Sequence, residues 1–151
     1  MSKEILLNIQ NKLAAVPGIN YVDEDWGQLD DYGPQVPVKW PCCLIDFSGA
    51  DYSEIGIDKS ATPQNRQEGT GSITLTFANV KLTNSSAKAP TPQKNTAWLL
   101  NGLIEEAHKV VHGFKPGTNS GALIRRSFRR VKRDDGIQQY QVIYSLGVHN
   151  V

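Results

Sequence analysis

The chain has 151 residues, of which 39% are hydrophobic and 21% are charged, an ordinary profile for one folded domain with an apolar core. No apolar run reaches the roughly 20 residues that a membrane-spanning helix needs, which argues against an integral membrane protein. The net charge is only +1, but residues 1–60 hold ten acidic and four basic residues, and residues 61–151 hold five acidic and twelve basic. Such a division is typical of nucleic-acid binding or of self-association through unlike surfaces.

The first predicted element is an amphipathic helix over residues 3–15. Its apolar residues recur at helical spacing from Ile5 to Val16, and Pro17-Gly18 ends it. Acidic and amide residues interrupt this pattern, so it does not predict a signal peptide. After a weakly predicted short strand, three prolines predict a loop over residues 27–41.

Two strands come next. In the segment CCLIDF, Ile45 and Phe47 share one face and Leu44 takes the other. The segment SITLTF alternates apolar and threonine residues, as an antiparallel strand with one wet face does. The polar, breaker-rich residues 56–71 and 83–94 are predicted to be mobile loops.

Two adjacent cysteines, Cys42 and Cys43, open the first of these strands. Neighbouring residues in a strand point to opposite faces, so we expect two reduced, unbridged thiols. A nucleophilic role would need a nearby base, and the sequence places none there.

A second helix is predicted over residues 96–114, because leucine, alanine and valine recur on one side of it. The order of elements therefore predicts an α+β fold over residues 1–151. Its mostly antiparallel sheet carries two helices packed on one face and ends in a C-terminal β-hairpin.

Six cations crowd the stretch from Arg125 to Arg133, which fits either a recognition helix or a strand. The strand is preferred, because a three-residue turn at Asp134-Asp135-Gly136 would pair Phe128 with Val142 and Ile124 with Leu146 on one apolar face. That register places Arg125, Arg129 and Arg133 together on the opposite face. These three arginines could bind phosphates or line a channel, although a solvated face would look the same.

Catalytic and metal-binding patterns are weak. Glu105, His108 and His112 lie on one side of the second predicted helix, but the HExxH arrangement is absent, and a solvated helix face explains them. There is no GxSxG sequence and no P-loop. We therefore expect no catalytic residues, no metal and no cofactor, which excludes the common enzyme classes.

The element order, the chain length and the ending DDGIQQYQVIYSLGV resemble the tail terminator and tail-completion (head–tail joining) proteins of tailed phages and prophages. The resemblance implies a ring, commonly a hexamer, that caps the tail tube and joins the tail to the head. It implies contacts with a tail-tube protein, with a head–tail connector protein and with DNA that passes through the lumen without sequence readout. Such a protein would be found in the host cytoplasm during assembly and then in the virion tail, and would need no membrane.

Three aromatic residues in predicted loops, Trp26, Tyr32 and Trp40, have no obvious place in the sheet. Exposed aromatics are enriched at interfaces, so they are candidates for a subunit contact. A small local core under the 27–41 loop would explain them equally well. The alternative function for the whole chain is a nucleic-acid-binding module that acts alone through residues 122–133.

Overall fold

A computed structural model describes residues 1–30, 35–80 and 85–151, which form three helices and five strands. In chain order these are α1 (Ser2–Ala14), β1 (Tyr21–Glu24), β2 (Cys42–Ile57), β3 (Asn65–Val80), α2 (Thr91–Ala97), α3 (Leu99–Val111), β4 (Ile124–Val131) and β5 (Ile137–His149). The strands form one sheet in the order β1-β2-β3-β5-β4. Strand β1 runs parallel to β2, and the other neighbouring pairs are antiparallel. The predicted α+β class and its C-terminal hairpin are confirmed.

The main core lies between α1, α3 and one face of the sheet, called the helix face below. Helix α1 buries Ile5, Ile9 and Leu13, which are four residues apart and therefore share one side. The sheet supplies alternate residues of three central strands, which explains the period-2 pattern of the sequence. These residues are Cys43, Ile45, Ile73, Leu75, Phe77, Val142, Tyr144, Leu146 and Val148.

The opposite face, called the outer face, is covered only in part. A small second cluster forms where Leu29 packs with Cys42, Leu44 and Ala78, with Trp40 packed against them. This cluster covers the start of β2 and the end of β3, and the outer-face positions beyond it are mostly polar, with Ile143 as an apolar exception.

Strands β2 and β3 are longer than the sequence predicts. They pair as far as Ile57 and Asn65, so the prediction of a loop over residues 56–71 is wrong for most of that segment. Hydrogen bonds between backbone groups continue the ladder after apolar side chains stop. The extension, called the arm below, comprises residues 48–57 and 65–72. Its mobility stays a prediction.

The second predicted helix is two helices. Helix α2 begins at Thr91, with Pro92 in the first turn, and the chain leaves helical geometry at Trp98 before α3 begins. Proline is favoured at that position because the first helical N–H groups have no partner. The predicted loop over 83–94 is thus wrong from residue 91 onward, and its residues 83–84 lie outside the described residues. Within the described residues, no helix has the length and apolar character to cross a membrane.

The two cysteines are free and buried, as predicted. Cys43 lies in the main core and Cys42 in the outer cluster, so the two thiols point to opposite faces. Burial raises the pKa of Cys42 to about 12 and raises the pKa of Cys43 well above its ordinary value. Both thiols are therefore protonated and unreactive in the folded chain.

Candidate assembly surfaces

Strand β4 forms one edge of the sheet and confirms that the basic segment is extended rather than helical. Residues from Phe128 to Val131 pair with Val142 to Gln139 in the predicted register. Gly136 adopts a φ of 79° in the connecting turn, the left-handed conformation that a three-residue hairpin turn requires.

A bulge between Arg125 and Ser127 shifts the register in the first part of β4. Ile124 lies opposite Ser145, so the predicted pair of Ile124 with Leu146 is wrong. A bulge adds one unpaired residue to one strand and increases its twist. The alternation of apolar and polar residues in the sequence does not reveal this extra residue.

The bulge moves Arg125 to the helix face, so the prediction that Arg125 lies with the outer-face arginines is wrong. Arg125 is opposite Tyr144, a core residue of the helix face, and cross-strand partners share a face. Arg126 takes the outer position instead, and its Nε donates to the Ser145 hydroxyl at 2.7 Å.

The other two predicted arginines differ in their contacts. Arg129 is exposed and its Nε donates to Oε1 of Gln141 at 2.8 Å. Arg133 is largely buried and donates to Asp30 at 2.9 Å and to Asp135 at 2.7 Å. The hydrogen bond with Asp135 raises the pKa of Arg133 and lowers that of the carboxylate. Arg133 therefore ties the hairpin turn to residues 29–30, which leaves it little capacity for a phosphate.

The remaining cations of this hairpin have no carboxylate partner within residues 1–30, 35–80 and 85–151. They are Arg125, Arg126, Arg129, Arg130 and Lys132. An edge strand with this charge repels the same edge of another copy and attracts an acidic surface.

Phe128 gives the basic edge an apolar centre. Its side chain is 52% exposed, and its ring stacks on Tyr140 with the ring centres 5.3 Å apart. Between α3 and β4 lies a groove of about 400 Å³, called the basic groove, lined in part by Ile104, Arg125 and Phe128. The helix layer stops short of β4, and this leaves the aromatic ring uncovered.

The opposite edge of the sheet carries a second groove, between α1 and β1. The groove has a volume of about 390 Å³, with Leu6, Leu7 and Ile45 among its apolar walls and with Glu24 and Lys3 among its charged lining residues. The Asp23 carboxylate faces the outer cluster, since Asp23 lies opposite Leu44 and accepts from the Tyr21 hydroxyl. The groove is called the acidic groove below, because residues 23–25 at this edge of the sheet are all acidic. Leu7 is 49% exposed and stands apart from the buried side of α1. Two grooves of similar size thus lie at the two edges of one sheet, one beside an acidic strand end and the other beside a basic strand. Lys3 also lines the first groove, and Glu105 lines the second.

The three aromatic residues predicted at an interface have different surroundings. Trp26 is 50% exposed just after β1, where its Nε1 donates to Asp23 at 3.3 Å. Trp40 packs against the outer cluster, so its ring serves the local core that the sequence offered as an alternative. Tyr32 lies outside the described residues. An interface role for these residues stays a prediction.

An open cleft of about 830 Å³ lies where the arm leaves the body of the protein. Tyr52 and Gly69 form its arm side, and Thr118 and Asn119 lie across from them. A Cβ atom on Gly69 would stand 2.8 Å from the Tyr52 ring, so the glycine lets that ring lie flat on the strand.

His108 of α3 and His112, which directly follows this helix, contact the sheet rather than solvent alone, which corrects the prediction of a simply solvated helix face. His108 Nδ1 lies 2.9 Å from the Tyr144 hydroxyl, and His112 Nδ1 accepts the Arg125 N–H at 3.2 Å. Burial, followed by the charge of Arg125, lowers the pKa of His108. Among the described residues, no group of three or more potential ligands is placed to hold a metal ion.

The sequence alone did not indicate Leu7 or Glu24 as surface contacts, and it placed Phe128 on the apolar face without indicating that its ring is exposed. One available signal was that Leu7 falls outside the buried stripe of α1. Phe128 gave no signal, because its exposure depends on where α3 ends relative to the last strand. That relation appears only once the strand order is known.

No family model matches the chain, and no curated protein matches it. A search of solved structures finds a likeness to a chain described as "Virion of native gene transfer agent (GTA) particle". The TM-score is 0.55 at 10% identity, and the match covers 93% of this chain and 91% of that chain. At this identity the likeness concerns the fold, over almost the full length of both chains.

Proposed function

We propose that the chain is a structural protein of a tailed phage or phage-like particle, where it caps the tail tube and joins the tail to the head as a ring. The observation that carries the proposal is the fold likeness to a chain of a gene transfer agent virion over 93% of this chain. The resemblance to tail terminators in element order and in the C-terminal hairpin points to the same place in a particle. The proposal gives the protein no catalytic step and no cofactor.

Two features of the surface support a ring. A closed ring is built from head-to-tail contacts between two different patches of one subunit. The acidic and basic grooves are such a pair, since they lie at opposite edges of the sheet. The arm adds a projecting element, whose residues from Asp51 to Ile57 are all exposed, for contact with a tail-tube or connector protein.

The cations on the outer face support the proposal that DNA passes through the ring. Arg126 and Arg129 lie on the polar outer face without carboxylate partners in the described part of the chain. Contacts of this kind are made with phosphates and do not read the base sequence. In a ring whose outer face lines the lumen, they would hold passing DNA weakly. The protein would assemble in the host cytoplasm and remain in the virion tail.

The decisive experiment removes the protein from a particle that contains its gene. We expect tails of irregular length, or tails that fail to join heads, and we expect the protein in purified wild-type tails. If tubes of native length still join heads without the protein, and purified tails lack it, the proposed function is wrong.

The basic edge also supports the second candidate, a nucleic-acid-binding module that acts alone. Such a module binds DNA as a monomer or dimer, with a logarithmic salt slope of about −0.9 per phosphate contact. A ring subunit instead assembles with rising concentration and binds DNA weakly. DNA titrations at several salt concentrations, made beside sedimentation of the free protein, separate the two.

A further inference from the structure

We propose that the acidic groove of one copy receives strand β4 of the next copy, with Phe128 inserted between Leu6 and Leu7. The occupant is thus a second copy of this chain, joined head to tail. The inference deepens the proposed function, because it rests on a ring and names the surfaces that close it. The helix-face residues of β4 would meet the neighbour, and the outer-face cations would stay free for DNA.

The acidic groove has the chemistry that a basic edge strand needs. Its apolar part consists of the exposed Leu7 and the partly buried Leu6, above the buried Ile45 of the main core. Its rim carries the carboxylate of Glu24, which lies opposite Ile45, together with Lys3. Glu24 is exposed and has no cationic partner within the described residues. An apolar centre with a charged rim is the usual arrangement of a protein interface.

The basic edge provides the matching groups in the same arrangement. Phe128 projects with half of its surface exposed, and the stacked ring of Tyr140 holds it in place. An aromatic side chain that is already ordered loses little entropy on binding, which suits it to anchor an interface. Arg130 lies opposite Tyr140, next to this anchor, and is exposed without a carboxylate partner among the described residues.

Charge and position together favour a head-to-tail contact over a symmetric one. Two basic edges repel each other, as do two acidic edges, so a two-fold contact at either edge is disfavoured. Five strands separate the two edges by four spacings, or about 19 Å. One chain therefore cannot bring its own Phe128 to its own Leu7, and only a neighbour can fill the groove.

Disulfide cross-linking between copies tests this arrangement directly. The double variant Leu7→Cys, Phe128→Cys can form a bridge only between copies, because a disulfide needs Cα atoms within about 7 Å. Oxidation at the concentration where the wild-type chain assembles should give dimers, trimers and higher multiples. Each single variant, with one exposed cysteine, should stop at the dimer. Cys42 and Cys43 are buried and should not contribute.

A charge exchange supplies the second test. Glu24→Lys alone and Arg130→Glu alone should each weaken assembly by about tenfold, and the two changes in one chain should restore it to within about threefold. Leu7→Gln should also weaken assembly. Its matched control is Leu99→Gln, since Leu99 is an equally exposed leucine on α3 that does not line the basic groove. Sedimentation velocity over a range of concentrations measures all of them.

The outcomes separate this inference from the proposed function. If the free chain stays monomeric at every concentration, the same oxidation is made on purified tails that carry the double variant. Capped tails without disulfide-linked multiples would agree with the proposed function and would contradict the groove contact. If the double variant forms disulfide-linked multiples in solution but the protein is absent from purified tails, the groove contact is supported and the proposed function is wrong. Charge exchanges without any effect on assembly would also overturn the contact.

Discussion

The base of the β2–β3 hairpin, residues 42–47 and 73–80, and the arm belong to the same paired strands but differ in almost every other respect. In the base, Ile45, Leu75 and Phe77 are fully or almost fully buried under the helices. In the arm, the residues from Asp51 to Ile57 are all exposed. The backbone is paired in both regions, although register shifts at Phe47/Gly49 and Glu54/Gly56 interrupt the ladder in the arm. Backbone pairing therefore does not imply that the side chains are buried, and a segment without an apolar pattern can still be a strand.

The arm replaces a core with local contacts between rings and glycines. The Phe47 ring lies about 3.1 Å from the position of a Cβ on Gly71, and Tyr52 covers Gly69 in the same way. Residues 68–72 of the arm also pair with residues 145–149 of β5, so only its far end, residues 54–57 and 65–67, is a two-stranded hairpin. A two-stranded hairpin without a packed face is marginal in water, so the third strand and these ring contacts stabilise the arm. Since the arm buries little of its own surface, we infer that it serves a partner rather than the fold.

The first prediction tests the difference between the base and the arm with a substitution that creates a cavity in the base. Leu75→Ala should lower the free energy of unfolding by ~2–5 kcal/mol, because Leu75 is fully buried and its methyl groups leave a void. Ile55→Ala in the arm is the control, since Ile55 is 41% exposed. Urea denaturation followed by circular dichroism measures both. Equal losses in the two variants would show that the arm is as much a part of the core as the base.

The second prediction tests the ring-on-glycine contact. Gly69→Ala should cost ~1–3 kcal/mol, because the new Cβ would stand 2.6 Å from the Asp51 carbonyl oxygen and 2.8 Å from the Tyr52 ring. Gly49→Ala is the matched control in the same arm, as nothing lies within 4 Å of its Cβ position. The cost should appear as faster trypsin cleavage after Lys59 and Arg66. Equal cleavage of both variants would contradict the role assigned to Gly69.

Much of the base could be predicted from the sequence, because buried apolar residues alternate with residues of the opposite face along each of its strands. The faces of Ile45, Phe47 and Leu44 follow from alternation alone. The register of Phe128 with Val142 follows from the same logic applied to a turn of known length. Local pattern suffices wherever side chains decide which face is inside.

The rest depends on relations that no local pattern contains. The arm has no regular apolar alternation, so no local sequence pattern reveals its ladder. The bulge at Arg125 adds a residue that alternation cannot show, and the division of the arginines between two faces follows from it. The two grooves exist because β1 and β4 lie at opposite edges, which is a matter of strand order. Sequence charge indicated unlike surfaces, but only the fold gives their positions.

A third prediction compares the thiols of the base with one placed in the arm. Cys42 and Cys43 should react with a thiol reagent only as fast as the chain unfolds, because burial raises the pKa of both. Ser53→Cys, at an exposed arm position, should react at once. Denatured wild-type protein prepared without reductant should show two free thiols per chain. Fewer than two would mean that a bridge or modification exists.

The smallest expected effect concerns the far end of the arm. Ile57 is 68% exposed, so Ile57→Ser should change the free energy of unfolding by no more than ~0.5 kcal/mol. Amide hydrogens of residues 48–57 should exchange faster than those of residues 42–47 in the free subunit, because short local openings suffice where no apolar surface is exposed.

In assembled tails, the slow exchange of the base should extend into the arm, since a partner would then cover Tyr52, Ile55 and Ile57. Ile57→Ser should weaken that protection while leaving the base unchanged. Arm amides that are protected as strongly as the base in the free subunit would show that the arm needs no partner. Arm amides that stay fast in the tail would remove the arm from the contact surfaces, and the two sheet edges would then remain as the candidates.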